Sequence, residues 1–161
     1  MNTPSGMLTL DQLRSMVEAG EIDTVLVAIT DMQGRLQGKR CTARFFLDEV
    51  ARHGTEGCNY LMAVDVEMNT VDGFAMSSWE RGYGDLLMRP DINTLRRIPW
   101  YPATALVLCD ADWLDGSPVL ASPRQILRRQ LERLDDLGYD AYAATELEFQ
   151  LFNNSYEDAS R

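Results

Sequence analysis

Ala143-Ala-Thr-Glu-Leu-Glu-Phe-Gln-Leu-Phe152 alternates in character. Thr145, Leu147, Phe149 and Leu151 fall on one face of an extended chain, and Ala144, Glu146, Glu148 and Gln150 on the other, because strand side chains repeat with a period of two. The pattern predicts a strand with two neighbouring carboxylates on one face. Like charges that close repel, and beside an apolar sheet the repulsion is poorly screened. A hard divalent cation, which prefers oxygen ligands, would relieve it. An edge strand with its acidic face in water is the other reading, and a single Glu-x-Glu leaves both open.

Ser122-Pro-Arg-Gln125 upstream reads as a helix start. Ser122 can cap, Pro123 suits the first helical position, and Gln125 can complete a capping box. Ile126, Leu127, Leu131, Leu134 and Leu137 form an apolar stripe that Gly138 ends. A boundary near Ala121, after the Asp115-Gly-Ser-Pro118 turn, divides this unit from what precedes it. One helix and one strand have no core of their own, and the polar end, Asn153 to Arg161, supplies none. The chain therefore reads as a piece of a larger protein.

The preceding part is richer. Thr9-Leu-Asp-Gln12 is a capping-box pattern, and Leu10, Leu13, Met16 and Val17 follow at helical spacing, with Gly20 as the stop. Thr24 to Thr30 is a β-branched run, Asp31-Met-Gln-Gly34 a turn, and Arg35 to Cys41 a returning strand, which predicts a hairpin. Phe45 to His53 reads as a short helix closed by Gly54. Tyr60 to Val66 and Ala105 to Asp110 are further strand candidates. Together these predict an α+β fold, a small sheet of the β-grasp kind crossed by one helix. The expected division is an amino-terminal helix over 1–20, a β-grasp domain over 21–121, and the start of a second domain over 122–161. Val71 to Asp85 is rich in Gly, aromatics and polar groups with little periodicity. Such a segment is either a functional loop or a surface excursion.

The balance of 15 Lys and Arg against 25 Asp and Glu gives a net charge of −10. That argues against nucleic acid and anionic membranes, which need a basic footprint. No apolar run approaches a membrane span, and Met1 to Gly6 has no signal-peptide pattern. Cys41, Cys58 and Cys109 are odd in number and far apart. They fit neither a disulfide framework nor a zinc site, and reduced thiols in a cytoplasmic protein are expected. His53 is the only histidine, so a metal site here would rest on carboxylates or on residues outside this chain.

Thr145-Glu-Leu-Glu-Phe149 resembles the Glu-x-Glu-Phe strand that opens the catalytic domain of glutamine synthetases. Tyr83-Gly-Asp-Leu-Leu-Met-Arg-Pro-Asp91, Leu95-Arg-Arg-Ile-Pro-Trp100, the Ala105 to Asp110 strand and Ser122-Pro-Arg124 are similar to family segments in the same order. The likeness covers about residues 20 to 152. It implies a β-grasp domain followed by the first helix and strand of the catalytic domain. It also implies that Glu146 and Glu148 ligate two divalent ions, Mg2+ or Mn2+, between ATP and glutamate. Those ions bridge phosphate oxygens while the glutamate γ-carboxylate takes the phosphoryl group, and an amine then displaces phosphate. By the same resemblance the other ligands lie beyond Arg161, and the subunits assemble as a homo-oligomeric ring in which one β-grasp domain completes its neighbour's active site.

Ammonia-using members of the family have Phe-Asp-Gly-Ser-Ser where this chain has Phe74-Ala-Met-Ser-Ser78. The family's Asp helps to bind ammonium and remove its proton, and here that position is Ala75. The change suits a bulkier amine. Trp79 to Asp85 resembles the γ-glutamyl-polyamine or -ethanolamide synthetase branch. On this reading Ala75, Met76 and Trp79 touch substrate, and Ser78 and Asp85 are catalytic candidates. Asp85 has an equally simple role as a turn or cap residue. A glutamine synthetase using ammonia and a non-catalytic β-grasp assembly module are the alternatives.

Overall fold

The computed structural model describes residues 6–77, 80 and 82–161. The chain divides into two units, Met1–Gln130 and Leu131–Arg161.

The first unit is built on one mixed sheet. Its strands are β1 (Thr24–Thr30), β2 (Leu36–Thr42), β3 (Thr55–Cys58), β4 (Asp85–Pro90), β5 (Arg96–Arg97) and β6 (Thr104–Asp112). The order is β2-β1-β6-β4-β3, with β5 paired to β6. β1 and β2 form the expected antiparallel hairpin, Thr24 opposite Thr42 and Thr30 opposite Leu36. β1 runs parallel to β6, Thr24 beside Thr104 and Ala28 beside Leu108. β4 joins β6 and β3 antiparallel.

The hairpin turns where the sequence puts Gly34, whose φ of 82° only glycine takes cheaply. Inside β2, Gly38 is needed for a different reason. A Cβ there would lie 1.8 Å from the Val27 carbonyl oxygen, far inside contact distance.

α1 (Leu10–Glu18) carries the reciprocal capping box: the Thr9 hydroxyl accepts from the Gln12 N–H, and the Gln12 side chain accepts from the Thr9 N–H. A second helical stretch runs from α2 (Ala43–Phe45) through a π-helical turn (Phe46–Val50) to α3 (Ala51–His53). It ends at Gly54. Leu13, Phe46 and Val50 pack with Val25, Val27 and Ile29 of β1, with Leu86 and Met88 of β4, and with Val107 and Cys109 of β6. β6 is buried along nearly its whole length, as a central strand must be when both faces are covered. The sheet buries a smaller cluster of Ala28, Ile98 and Leu106 apart from that core.

Two expected strands are absent. Tyr60 to Val66 opens instead as a 3-10 turn, Asn59–Met62. Asp65 then holds a tight turn, its carboxylate accepting from the Glu67 and Asn69 N–H groups. These side-chain acceptors compete with a sheet ladder for the backbone donors. The other missing strand is Ala143 to Phe152, where residues 139–152 take neither helix nor strand. A strand must exchange backbone hydrogen bonds with a partner, and the Leu131–Arg161 unit contains no second strand. Leu147, Phe149 and Leu151 stand 84%, 72% and 89% exposed.

α4 (Pro123–Asp136) begins at the expected proline and closes with Gly138 at a φ of 78°. Its last turn and α5 (Tyr156–Ala159), capped by the Ser155 hydroxyl, are the regular parts of the second unit. No helix is long and apolar enough to cross a membrane among the described residues.

Gly38→Ala should destabilise the protein by about 2 kcal/mol or more, the scale of overpacking against a fixed backbone. Chemical denaturation of the two proteins measures the difference.

Candidate functional site

Asn59 gathers the loop residues that the sequence singles out. It is buried, and its side-chain amide donates to the Met76 carbonyl at 3.0 Å. Its backbone N–H donates to the Gly84 carbonyl at 2.9 Å. The segment bearing Ala75 and Met76 is therefore tied to the same residue as the segment leading into Asp85. The neighbouring Tyr60 ring meets Tyr83 edge-on, with centroids 5.9 Å apart. Asn59 Oδ1 is buried with no hydrogen-bond partner among the described residues.

Around this hub the candidates differ in setting. Ala75 is exposed, and Met76 is half-buried against the core and borders an apolar hollow with Trp113, Val119 and Leu120. Asp85 is exposed at the first position of β4, opposite Cys58. Ser78 and Trp79 lie outside the described residues. No sequence pattern marked Asn59; a lone Asn before an aromatic carries no signal until the fold closes around it.

A second polar centre sits at the β1–β2 turn. The Asp31 carboxylate is buried and accepts from the backbone N–H groups of Gln33 and Arg35 at 2.9 and 2.8 Å. It also accepts from Arg35 Nε at 2.8 Å and Gln37 Nε2 at 2.5 Å. Burial pushes its carboxyl up, but the bonds from Gln37, Arg35 and Gln33 outweigh burial and hold it below the usual carboxylate range. The guanidinium of Arg35 also reaches across the fold. It donates to the Val66 carbonyl at 2.6 Å and the Asp65 carbonyl at 2.9 Å, while Gln33 Nε2 donates to the Val64 carbonyl at 2.9 Å.

A third centre fixes the start of α4. Arg124 bonds Asp110 on β6 at 3.1 Å and Asp91 at 2.8 Å, and Arg128 bonds Asp110 at 2.6 Å. The Ser-Pro-Arg segment thus anchors its helix to the sheet. Beside it Asp112 is buried and paired with Arg89. Burial dominates there and raises its carboxyl above the ordinary value, opposed by Arg89 and reinforced by Asp110. This centre was not foreseen from the sequence; carboxylates within an apolar strand run are the signal that would have found it, since a buried charge needs a partner. Burial also raises the Cys41 thiol and pushes Cys109 up to about 12, which disfavours the reactive thiolate in both.

Glu146 and Glu148 lie exposed in the second unit. Their donor set suits a hard divalent ion, but two carboxylates alone cannot fill its shell. No cluster of three or more potential His, Cys, Asp or Glu ligands occurs among the described residues.

The model of the glutamine synthetase catalytic domain matches residues 120–161. A γ-glutamylethanolamide synthetase of Streptomyces coelicolor is 66% identical over 94% of this chain and 33% of its own length. A glutamate–isopropylamine ligase of a Pseudomonas species is 40% identical over 92% of this chain and 32% of its own. A solved structure described as a novel glutamine synthase homolog superposes with a TM-score of 0.59 at 26% identity, over 72% of this chain and 27% of that one. The chain belongs to the glutamine synthetase family. Its two curated relatives named here are amine ligases, and it spans about a third of the length of each.

The Asp31 centre should set part of the acid response. A carboxyl held below its ordinary value stabilises the fold above the unfolded-state value and loses that contribution as pH falls through the folded-state value. Asp31→Asn should therefore cost about 1.5–3 kcal/mol at pH 7, the scale of hydrogen bonds to a charged group. The deficit should shrink steadily on acidification below the usual carboxylate range. Urea midpoints of both proteins across pH check it; a deficit independent of pH would contradict it.

Proposed function

We propose that this chain is the amino-terminal part of an ATP-dependent ligase that joins glutamate to an alkylamine or polyamine through a γ-glutamyl phosphate. The observation that carries the reading is the 66% identity, over nearly the whole chain, to a γ-glutamylethanolamide synthetase. The composition of the loop agrees with it, since an alanine stands at position 75 where a carboxylate would serve ammonium.

In this reading residues 21–121 are a β-grasp domain. The strand order β2-β1-β6-β4-β3, with β1 parallel to β6, supports it. Residues 122–161 open the catalytic domain, and Glu146 and Glu148 pair as metal ligands once a neighbouring strand orders that segment. Mg2+ or Mn2+ held there would neutralise charge on the phosphoryl oxygens of ATP. The work of the loop is to receive the amine. A site for ammonium needs a carboxylate close to the nitrogen, to pair with the cation and direct its proton. Ala75 removes that pairing and leaves room for a carbon chain, and Met76 offers an adaptable apolar wall. Ser78, Trp79 and Asp85 complete the proposed amine end, Asp85 facing a second polar group of the amine. The parent is a cytoplasmic homo-oligomer in which this domain borders a neighbouring subunit's site.

In the full-length protein, Glu146→Ala or Glu148→Ala should abolish most turnover while leaving assembly intact. Near-normal rates at ordinary magnesium concentrations would remove both from the ligand set.

The amine preference is tested by kcat/KM for ammonium, ethanolamine, putrescine and spermidine side by side. An alkylamine should lead ammonium by about tenfold or more, because a partly desolvated charge pair is worth on the order of 2 kcal/mol. Ala75→Asp should move the ratio toward ammonium even if turnover falls. Ammonium as the best substrate would restore ordinary glutamine synthesis.

A further inference from the structure

We propose that Arg35 is a positioning residue for the amine end of the site: seated on the buried Asp31 carboxylate, it fixes the loop that presents Ala75. The inference rests on the amine-ligase reading for what the loop does, but not for how the loop is held.

Three successive carbonyls, those of Val64, Asp65 and Val66, are taken by side chains of a turn some thirty residues earlier in the chain. Arg35 supplies two of these bonds and Gln33 the third. The captured segment is closed on itself. The Asp65 carboxylate holds the turn, Val64 bridges Thr70, and the Val71 N–H donates to the Ala63 carbonyl at 3.1 Å. Beyond Val71 only Asp72, Gly73, Phe74 and Ala75 intervene before Met76, whose carbonyl is held by Asn59. Ala75 therefore sits on a short span between two side-chain anchors. So short a span cannot absorb a large shift at one end without moving its residues.

Apolar burial holds only the near end of the first anchor, where Ala63 and Val64 are buried. Past them Val66 is 75% exposed and Met68 47% exposed, so packing contributes little to the far part of the turn that Arg35 grips. Met68 also takes a φ of 71° without being glycine, a conformation that persists only where its surroundings over-determine it. Its sulfur accepts from Gln37 Nε2 at 3.2 Å, and the same Gln37 amide nitrogen donates to Asp31. Charge-assisted bonds from a planar guanidinium are the strongest polar contacts on the loop. A lysine at this position could keep the charge beside Asp31 but not the fork that bridges Asp31, Asp65 and Val66.

The test compares the full-length enzyme with its Arg35→Lys and Arg35→Met variants. Hydrogen exchange at the Glu67, Asn69 and Val71 amides should accelerate about tenfold or more in Arg35→Met, and less in Arg35→Lys, while β1 and β6 amides keep their protection. KM for whichever nitrogen nucleophile the wild type prefers should rise about tenfold, with KM for ATP and for glutamate within about twofold. Unchanged exchange in both variants would overturn the clamp. Faster exchange with all three KM values unchanged, or a uniform loss across them, would overturn its positioning role. A wild type that prefers ammonium would defeat the amine-ligase reading alone, since exchange and the ammonium KM still report on Arg35.

Discussion

The parallel pairing of β1 with β6 is the constraint from which the rest of the first unit follows. Parallel neighbours cannot be joined by a tight turn; the chain must leave the sheet and return. Everything from Asp31 to Ala103 belongs to that excursion. It contains the β2 return, the helical stretch over the core, the β3–β4 pair and the irregular loop. β6 pairs with β1 along one edge and with β4 along the other, and apolar clusters pack against it. Its near-continuous burial then leaves Asp110 and Asp112 as charges that must find arginines. Arg124 and Arg128 answer Asp110, and so the helix that begins the next part of the chain is fixed to the strand that ends the sheet.

Local rules were readable where the signal was local. The Thr9 to Gln12 capping box, the β1–β2 hairpin with Gly34, and the proline start of α4 lie within a few residues of the atoms that cause them. The strands β3 and β4 were not readable in the same way. Thr-Glu-Gly-Cys has no apolar alternation, and β4 ends in a proline, so only pairing with β6 and with each other makes them strands. Tyr60 to Val66 failed for the opposite reason. Its composition suits a strand, but the Asp65 carboxylate holds a turn and Asn59 is drawn to the distant Met76 carbonyl. The Glu146 and Glu148 stretch keeps its alternation in sequence while lacking a partner within its unit. Periodicity proposes a strand; a ladder has to be available to make one.

Two buried aspartates show why composition could not rank the polar groups. Asp31 and Asp112 are each almost fully buried, yet one carboxyl is lowered and the other raised. The difference lies in the donors that face each carboxylate and in the charge beside it. Asp31 sits inside a turn whose own backbone N–H groups point at it, so desolvation is outweighed. Asp112 has Arg89, an oxygen with no partner among the described residues, and the repelling Asp110 carboxylate nearby, so desolvation wins. The same chemistry makes Asp31 a dependable seat for Arg35, and no spacing rule in the sequence connects Arg35 to carbonyls about thirty residues away.

This arrangement separates the core from the chemistry proposed for the loop. Ala75 is exposed, and the segment around it is held by hydrogen bonds from Arg35, Gln33 and Asn59 to backbone carbonyls. A carbonyl acceptor is present whatever side chain its residue carries. Substitutions at the exposed positions 74 and 75 can therefore change what the loop presents while its course stays the same. An apolar side chain holding the loop would couple recognition to packing, and every change of substrate would then disturb the core. The separation is confined to the middle of the loop: Phe74 and Ala75 are exposed, whereas Val64 at one end is buried and Met76 at the other packs against the core.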